Sequence, residues 1–181
     1  HDLINLCEAH PDCAFLSFTN ATLIDEEFVQ DMIRVANFVP AISVEGFEEA
    51  TDARRGEGTY AKVSHAMELL RENGLTFGVS CCYTSANASS IASEEFFDWL
   101  IEKGALFAWI FTYMPVGVGS PTSLMVHADQ REHLYRFVRE MREKKPLFTL
   151  DFQNDGEFVG GCIAGGRRYL HINAAGDVEP C

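Results

Sequence analysis

Short apolar runs alternate with stretches of helical periodicity along this chain. Residues 14–18 (Ala14, Phe15, Leu16, Ser17, Phe18) read as a buried strand closed by Thr19 and Asn20. Asp25, Glu26 and Glu27 then open a helix with acids at the positive end of its dipole, and Phe28, Met32 and Ile33 line one face. Residues 40–44 form the next apolar run, ending at Glu45 and Gly46, and residues 48–58 read as a polar loop. Tyr60, Val63, Met67 and Leu70 recur at three- and four-residue steps, which predicts an amphipathic helix stopped by Asn73 and Gly74. Further strands are expected over 75–83, 106–113 and 147–152. Between them come a loop rich in Ser, Ala and Asn, a helix capped by Ser93 and ended by Gly104, a long loop over 116–123, and a helix carrying Leu134, Phe137, Val138 and Met141.

Repeated strand–helix steps predict an α/β fold with a parallel sheet, curved into a barrel or open barrel. In such folds the chemistry sits where the C-terminal ends of strands feed their loops. Here those places hold Thr19 and Asn20, the run Ser43-Val44-Glu45, Cys82 and Tyr83, the run Tyr113-Met114-Pro115, and residues 151–154. The texture changes after Asn154, where glycine becomes dense and residues 168–178 read as a hairpin turning at Ala174-Ala175-Gly176-Asp177. A boundary near residue 153 divides the chain into 1–152 and 153–181.

Charge narrows the partners. The 181 residues hold 14 Lys plus Arg against 27 Asp plus Glu, a formal net charge of −13. Nucleic acids and anionic membranes are polyanionic, so neither is expected as a partner. No apolar run reaches the roughly 18–20 residues that cross a bilayer, and residues 1–13 carry no signal-type pattern. Six cysteines (Cys7, Cys13, Cys81, Cys82, Cys162, Cys181) are too sparse for a secreted disulfide scaffold, which points to a cytoplasmic chain.

Two groupings carry chemistry. Ser43 and Glu45 at a strand end can meet the hydroxyls of a sugar, and Arg55 at the mouth of the next helix can clamp a carboxylate. The same residues also suit a capped loop with surface arginines. Cys162 and Cys181 flank the hairpin, and thiolates suit zinc or iron–sulfur clusters, but two ligands complete neither. Cys81 and Cys82 are adjacent on a strand and so point to opposite faces. Core packing is expected for them and for Cys7 and Cys13, and no two histidines form a metal-spaced pair.

Taken together, the stretch from Asp2 and Leu3 to Asn20, the Ser43-Val44-Glu45-Gly46 run with Asp52 and the run from Arg54 to Gly58, and the words Gly161-Cys162, Tyr169 to Ile172 and Gly176 to Cys181 resemble a radical S-adenosylmethionine (radical SAM) enzyme opening into a SPASM-type extension. The resemblance implies a partial (β/α)6 TIM-like barrel over 1–152 and the start of an auxiliary-cluster domain over 153–181. It implies that Ser43 contacts the ribose, that Arg55 holds the methionine carboxylate, and that Tyr113 contacts the adenine through its backbone. It implies a cofactor-binding role for Glu45, which stands where many relatives carry Asp. Cys162 and Cys181 would be the first ligands of an auxiliary [4Fe–4S] cluster.

The activity implied is an oxidoreductase reaction. A [4Fe–4S] cluster reduces S-adenosylmethionine, and the resulting 5′-deoxyadenosyl radical takes hydrogen from a peptide, protein or small-molecule substrate. An electron donor such as flavodoxin or ferredoxin would serve it. The Cys-x-x-x-Cys-x-x-Cys run and the Gly-Gly-Glu-Pro motif that such enzymes require are expected upstream of His1, so this stretch alone is expected to be inactive. No catalytic acid or base is assigned. Two other readings stand beside this one: a non-catalytic barrel module that binds a nucleotide or peptide, and a metal-free barrel enzyme using Asp151 with Glu45.

Overall fold

The computed structural model describes residues 2–162 and 167–180. Helix α1 (Asp2–Ala9) precedes strand β1 (Phe15–Thr19). Helix α2 (Glu26–Val35), β2 (Phe38–Ser43), α3 (Glu48–Arg55), α4 (Thr59–Glu72) and β3 (Gly78–Tyr83) follow. Then come α5 (Ala88–Ile91), α6 (Glu94–Lys103), β4 (Phe107–Thr112), α7 (Ala128–Lys144), β5 (Phe148–Asp151) and α8 (Gly156–Val159). Strands β6 (His171–Ile172) and β7 (Val178–Glu179) make the expected antiparallel hairpin. The first five strands form one parallel sheet in the order β1-β2-β3-β4-β5, so each strand lies beside its successor. Such an order is the parallel αβ architecture that the alternating pattern predicts.

The sheet has one packed face and one open face. On the packed side lie Ile42, Val79, Cys81, Tyr83, Ala108 and Ile110, all buried. They join one core with Val63, Met67 and Leu70 of α4, Phe96, Phe97 and Leu100 of α6, and Leu134, Val138 and Met141 of α7. Side chains alternate along a strand, so the intervening residues point the other way. There Leu16 and Phe18 are about half exposed, and Phe18 leans on Trp109 with ring centroids 5.2 Å apart. Gly78 makes room for this open face: a Cβ there would lie 2.3 Å from the ring of Phe107, its partner in the ladder.

Caps fall where the sequence puts them. Asp25 accepts a hydrogen bond from the Phe28 N–H at 2.9 Å, and Ser93 Oγ accepts from the Phe96 N–H at 3.2 Å. Three expectations change. Residues 48–58 contain helix α3 rather than a polar loop. Its sequence, EEATDARR, has no apolar stripe to reveal it, but Glu48 and Glu49 in the first turn and Arg54 and Arg55 in the last complement the helix dipole. The loop rich in Ser, Ala and Asn contains the short α5. Cys7 is buried as expected, but Cys13 is exposed, because the turn after α1 carries it outward.

The region after residue 153 is fastened to the sheet at its start. Asp155 accepts from the Asp151 N–H at 2.9 Å and pairs with Arg142 at 2.5 Å. Glu157 pairs with Arg139. Among the described residues no helix is long and apolar enough to cross a membrane.

Candidate functional site

At the C-terminal end of β2 the chain leaves the sheet through Val44, whose N–H donates to the Ser80 carbonyl at 3.0 Å and extends the ladder by one bond. Glu45 follows, with no exposed surface. A buried carboxylate is costly unless paired, and this one is paired on both oxygens. Oε1 accepts from Arg55 Nε at 2.9 Å and Nη2 at 2.5 Å. Oε2 pairs with Arg54 Nη1 at 2.6 Å and accepts from the Cys82 N–H at 3.3 Å.

Helix α3 makes this geometry possible. Glu45 N–H donates to Thr51 Oγ1 at 3.1 Å, and that hydroxyl donates to the Gly46 carbonyl at 3.1 Å. Gly46 adopts φ +117°, a conformation that L side chains rarely take. The chain therefore turns back at once, so the last turn of α3 returns both arginines to the carboxylate. Asp52 secures the next element, accepting from the N–H groups of Gly58 and Tyr60 at 2.7 Å each.

Asn87 ties β2 to β3. Its side-chain oxygen accepts from Thr84 N–H at 2.7 Å and Thr84 Oγ1 at 3.0 Å. Its amide nitrogen donates to the carbonyls of Glu45 at 3.1 Å and Cys82 at 2.9 Å. Thr84 and Asn87 are both buried, so this is a satisfied polar network.

The expected site residues stand as follows. Glu45 and Arg55 are in direct contact. Ser43 ends β2 on the open face, half-buried, opposite Ser80 in the ladder. Tyr113 follows β4 at the same end of the sheet, its N–H donating to the Tyr83 carbonyl at 2.9 Å. Cys162 is exposed after α8, and its carbonyl accepts from Arg167 at 2.9 Å. Cys181 lies outside the described residues. Asp151 is fully buried on the packed face, with both oxygens accepting from Asn154 at 2.9 and 2.8 Å. Burial pushes its carboxyl above the ordinary range. Two strands separate β5 from β2, and Asp151 is taken up by Asn154 and not by the arginines that hold Glu45.

Thr51 and Asn87, which the sequence does not mark, complete the arrangement with Arg54, to which the sequence assigns no role of its own. The doubled arginine was visible, but nothing local shows that both side chains return to Glu45. Asn87 acts across 42 positions, so its partner is set only by strand pairing. Cys82 sits half-buried beside Arg54, and burial pushes its thiol up, as it pushes that of Cys81 well up. Neither is a ready thiolate at neutral pH.

The donor set also tests what the mouth of the sheet can hold. Two guanidinium groups share one carboxylate, and neither has another ion-pair partner among the described residues. One positive charge is left at the strand ends, which suits a ligand carboxylate. An iron–sulfur cluster is not matched in the same way: among the described residues no three or more His, Cys, Asp or Glu side chains stand together to hold a metal.

Comparison with known proteins bears on the fold. No model of a known protein family matches the chain. An AdoMet-dependent heme synthase of Methanosarcina barkeri is 23% identical over 90% of this chain and 53% of its own length. Among solved structures, Streptococcus suis SuiB bound to S-adenosylmethionine superposes with a TM-score of 0.75 at 20% identity, over 99% of this chain and 45% of SuiB. The structure of anSMEcpe with bound AdoMet gives 0.67 at 19% identity, over 93% of this chain and 50% of that protein. The fold is that of these S-adenosylmethionine-bound structures. The chain spans about half the length of these relatives. The expected parallel sheet and C-terminal hairpin are both present.

Proposed function

We propose that this chain supplies the cofactor-cradling part of a radical SAM oxidoreductase. Supporting this is one observation above the others: a fully buried Glu45 holds two adjacent arginines at the C-terminal mouth of a sheet with this fold. Bound S-adenosylmethionine would supply a 5′-deoxyadenosyl radical for hydrogen abstraction once reduced by a [4Fe–4S] cluster. In this reading Arg55 meets the methionine carboxylate, Ser43 the ribose and Tyr113 the adenine through its main chain.

Glu45 acts through the arginines. Both of its oxygens are taken by protein donors, so it orients Arg55 in advance and spares binding the cost of ordering a long side chain. Residues 1–152 form the barrel portion, and residues from 153 begin a SPASM-like extension in which Cys162 and Cys181 ligate an auxiliary cluster. Among the described residues no ligand set for that cluster assembles.

A peptide or protein is the leading substrate class, since SuiB was solved bound to precursor peptide SuiA and anSMEcpe with AdoMet and the Cp18Cys peptide. A one-electron donor such as flavodoxin or ferredoxin would feed the reaction. The test is anaerobic reconstitution of the full-length protein, followed by assay for 5′-deoxyadenosine. Formation of that product supports the reading, and none above background with intact clusters overturns it.

A further inference from the structure

A second hollow lies beside the Glu45 centre. It encloses about 790 Å³, within the range of small-molecule sites, and sits between α3 and the segment leading from β3 into α5. Its apolar walls come from Phe47, Ala50, Ala53, Ala86 and Leu124, and Arg54 enters it from α3. Ser43, Arg55 and Tyr113 do not line it, whereas Arg54 and Asn87 do, so it adjoins the proposed cofactor contacts without including them.

The hollow is built, because its walls are pinned to each other. At Gly46 the two sides come so close that a Cβ would lie 2.3 Å from Ser90 Oγ. The Phe47 N–H donates to that same oxygen at 3.3 Å. On the far side Ser85 N–H donates to the Leu124 carbonyl at 3.1 Å, and Ser85 Oγ to the Ser123 carbonyl at 2.7 Å. The loop before α7 is thereby fixed as the end wall.

Its charge selects a sign. Arg54 spends Nη1 on Glu45, and a guanidinium carries five N–H donors in a planar fork, so it can bind a second carboxylate. Glu45 and its two arginines sum to one positive charge. S-adenosylmethionine adds another, because its sulfonium and ammonium outweigh its single carboxylate. Glu49, an exposed residue on the same wall, opposes a second acid on the ligand. Small alanine side chains leave space for a few methylene groups or one ring.

We propose that this cavity is a subsite for a carboxylate carried on a short apolar arm of the substrate, with Arg54 as its counter-ion. The proposal rests on the radical SAM reading for the cofactor's added charge, whereas the cavity and Arg54 stand without it. Either an acidic peptide side chain or a small-molecule acid supplies the same chemistry.

The experiment uses the full-length protein and two matched pairs of probes: 3-phenylpropionate against 3-phenylpropionamide, and N-acetylglutamate amide against N-acetylglutamine amide. Binding is read by saturation-transfer NMR, with S-adenosylmethionine binding measured separately by calorimetry. The acid of at least one pair binds about tenfold more tightly than its amide at low salt, with the difference shrinking as salt rises. Discrimination within the glutamate pair assigns the arm to a peptide, and discrimination within the phenyl pair alone assigns it to a small acid. Ala53→Phe and Ser89→Phe, both at exposed wall positions that a folded chain tolerates, weaken acid binding by about tenfold and leave S-adenosylmethionine binding unchanged. Equal affinity for acid and amide in both pairs, or acid binding untouched by both wall variants, overturns the proposal. Loss of S-adenosylmethionine binding in the unaltered protein, with acid binding intact, would instead sink the cofactor reading alone.

Discussion

Arg55 grips a single oxygen of Glu45 with two nitrogens, at 2.9 and 2.5 Å, although the carboxylate itself has no exposed surface. The chain thus places a fully buried acid where it orders the basic side chain that a ligand would meet. Arg54 takes the other oxygen, so neighbouring residues of one helix turn straddle one carboxylate.

Glu45→Gln tests this arrangement. The amide leaves two guanidinium groups facing each other without a counter-charge. The arginines are partly exposed, so the cost is below that of a fully buried pair, about 2–3 kcal/mol in chemical denaturation. Affinity of the full-length protein for S-adenosylmethionine falls by about tenfold, because Arg55 is no longer held in place. Unchanged affinity in a folded variant would remove Glu45 from the site.

Asn87→Ala deletes a side chain that satisfies four main-chain and side-chain partners. The carbonyls of Glu45 and Cys82 lose a donor in a buried setting, and Thr84 loses its acceptor. Stability drops by about 2–3 kcal/mol, seen as a lower urea midpoint at constant slope. A midpoint within error of the unaltered protein would show that water replaces the amide.

Tyr83 supplies a pH signature. Burial first, then the negative charges of Asp151 and Asp129, push its hydroxyl from 10.0 up to about 12, and it donates to the Gln130 carbonyl at 3.0 Å. Between those two values the unfolded chain has lost this proton and the folded chain keeps it, so stability falls as pH rises through that window. The loss is on the order of 2 kcal/mol. Tyr83→Phe abolishes this portion of the alkaline decline, which thermal unfolding of both proteins from pH 9 to 12 measures. Parallel curves for the two would refute the assignment.

Gly78→Ala forces a methyl group against the Phe107 ring, 2.3 Å from two of its carbons. Overpacking costs about 1–3 kcal/mol. In a double-mutant cycle with Phe107→Ala most of that penalty disappears, since the ring is the obstacle. Additive effects would place the strain in the β3 backbone instead.

How much of this was readable beforehand follows from the range of each interaction. The five main strands appear as apolar runs because one face packs against the helices and the open face carries rings such as Phe18, Trp109 and Phe111. The caps at Asp25 and Ser93 were visible because a cap acts over three residues. Helix α3 was hidden because its stability comes from end charges and from contacts to Glu45 and Gly46, and it has no apolar stripe. Cys7 and Cys13 look alike in sequence, but only the first turns inward.

By itself the sequence determined the alternation of strands and helices, the parallel sheet that follows from it, the hairpin near the end, and the residue types at the strand mouths. These are local, since they depend on side-chain periodicity and on caps a few positions away. Tertiary structure alone decided that Arg54 joins Arg55 on Glu45, that Asn87 binds the ends of β2 and β3 together, that Asp151 faces away from the site, and that a hollow opens beside Arg54. The physical reason is that a buried charge takes whatever partners the packed chain brings within about 3 Å, and the pairing of distant strands is what brings them.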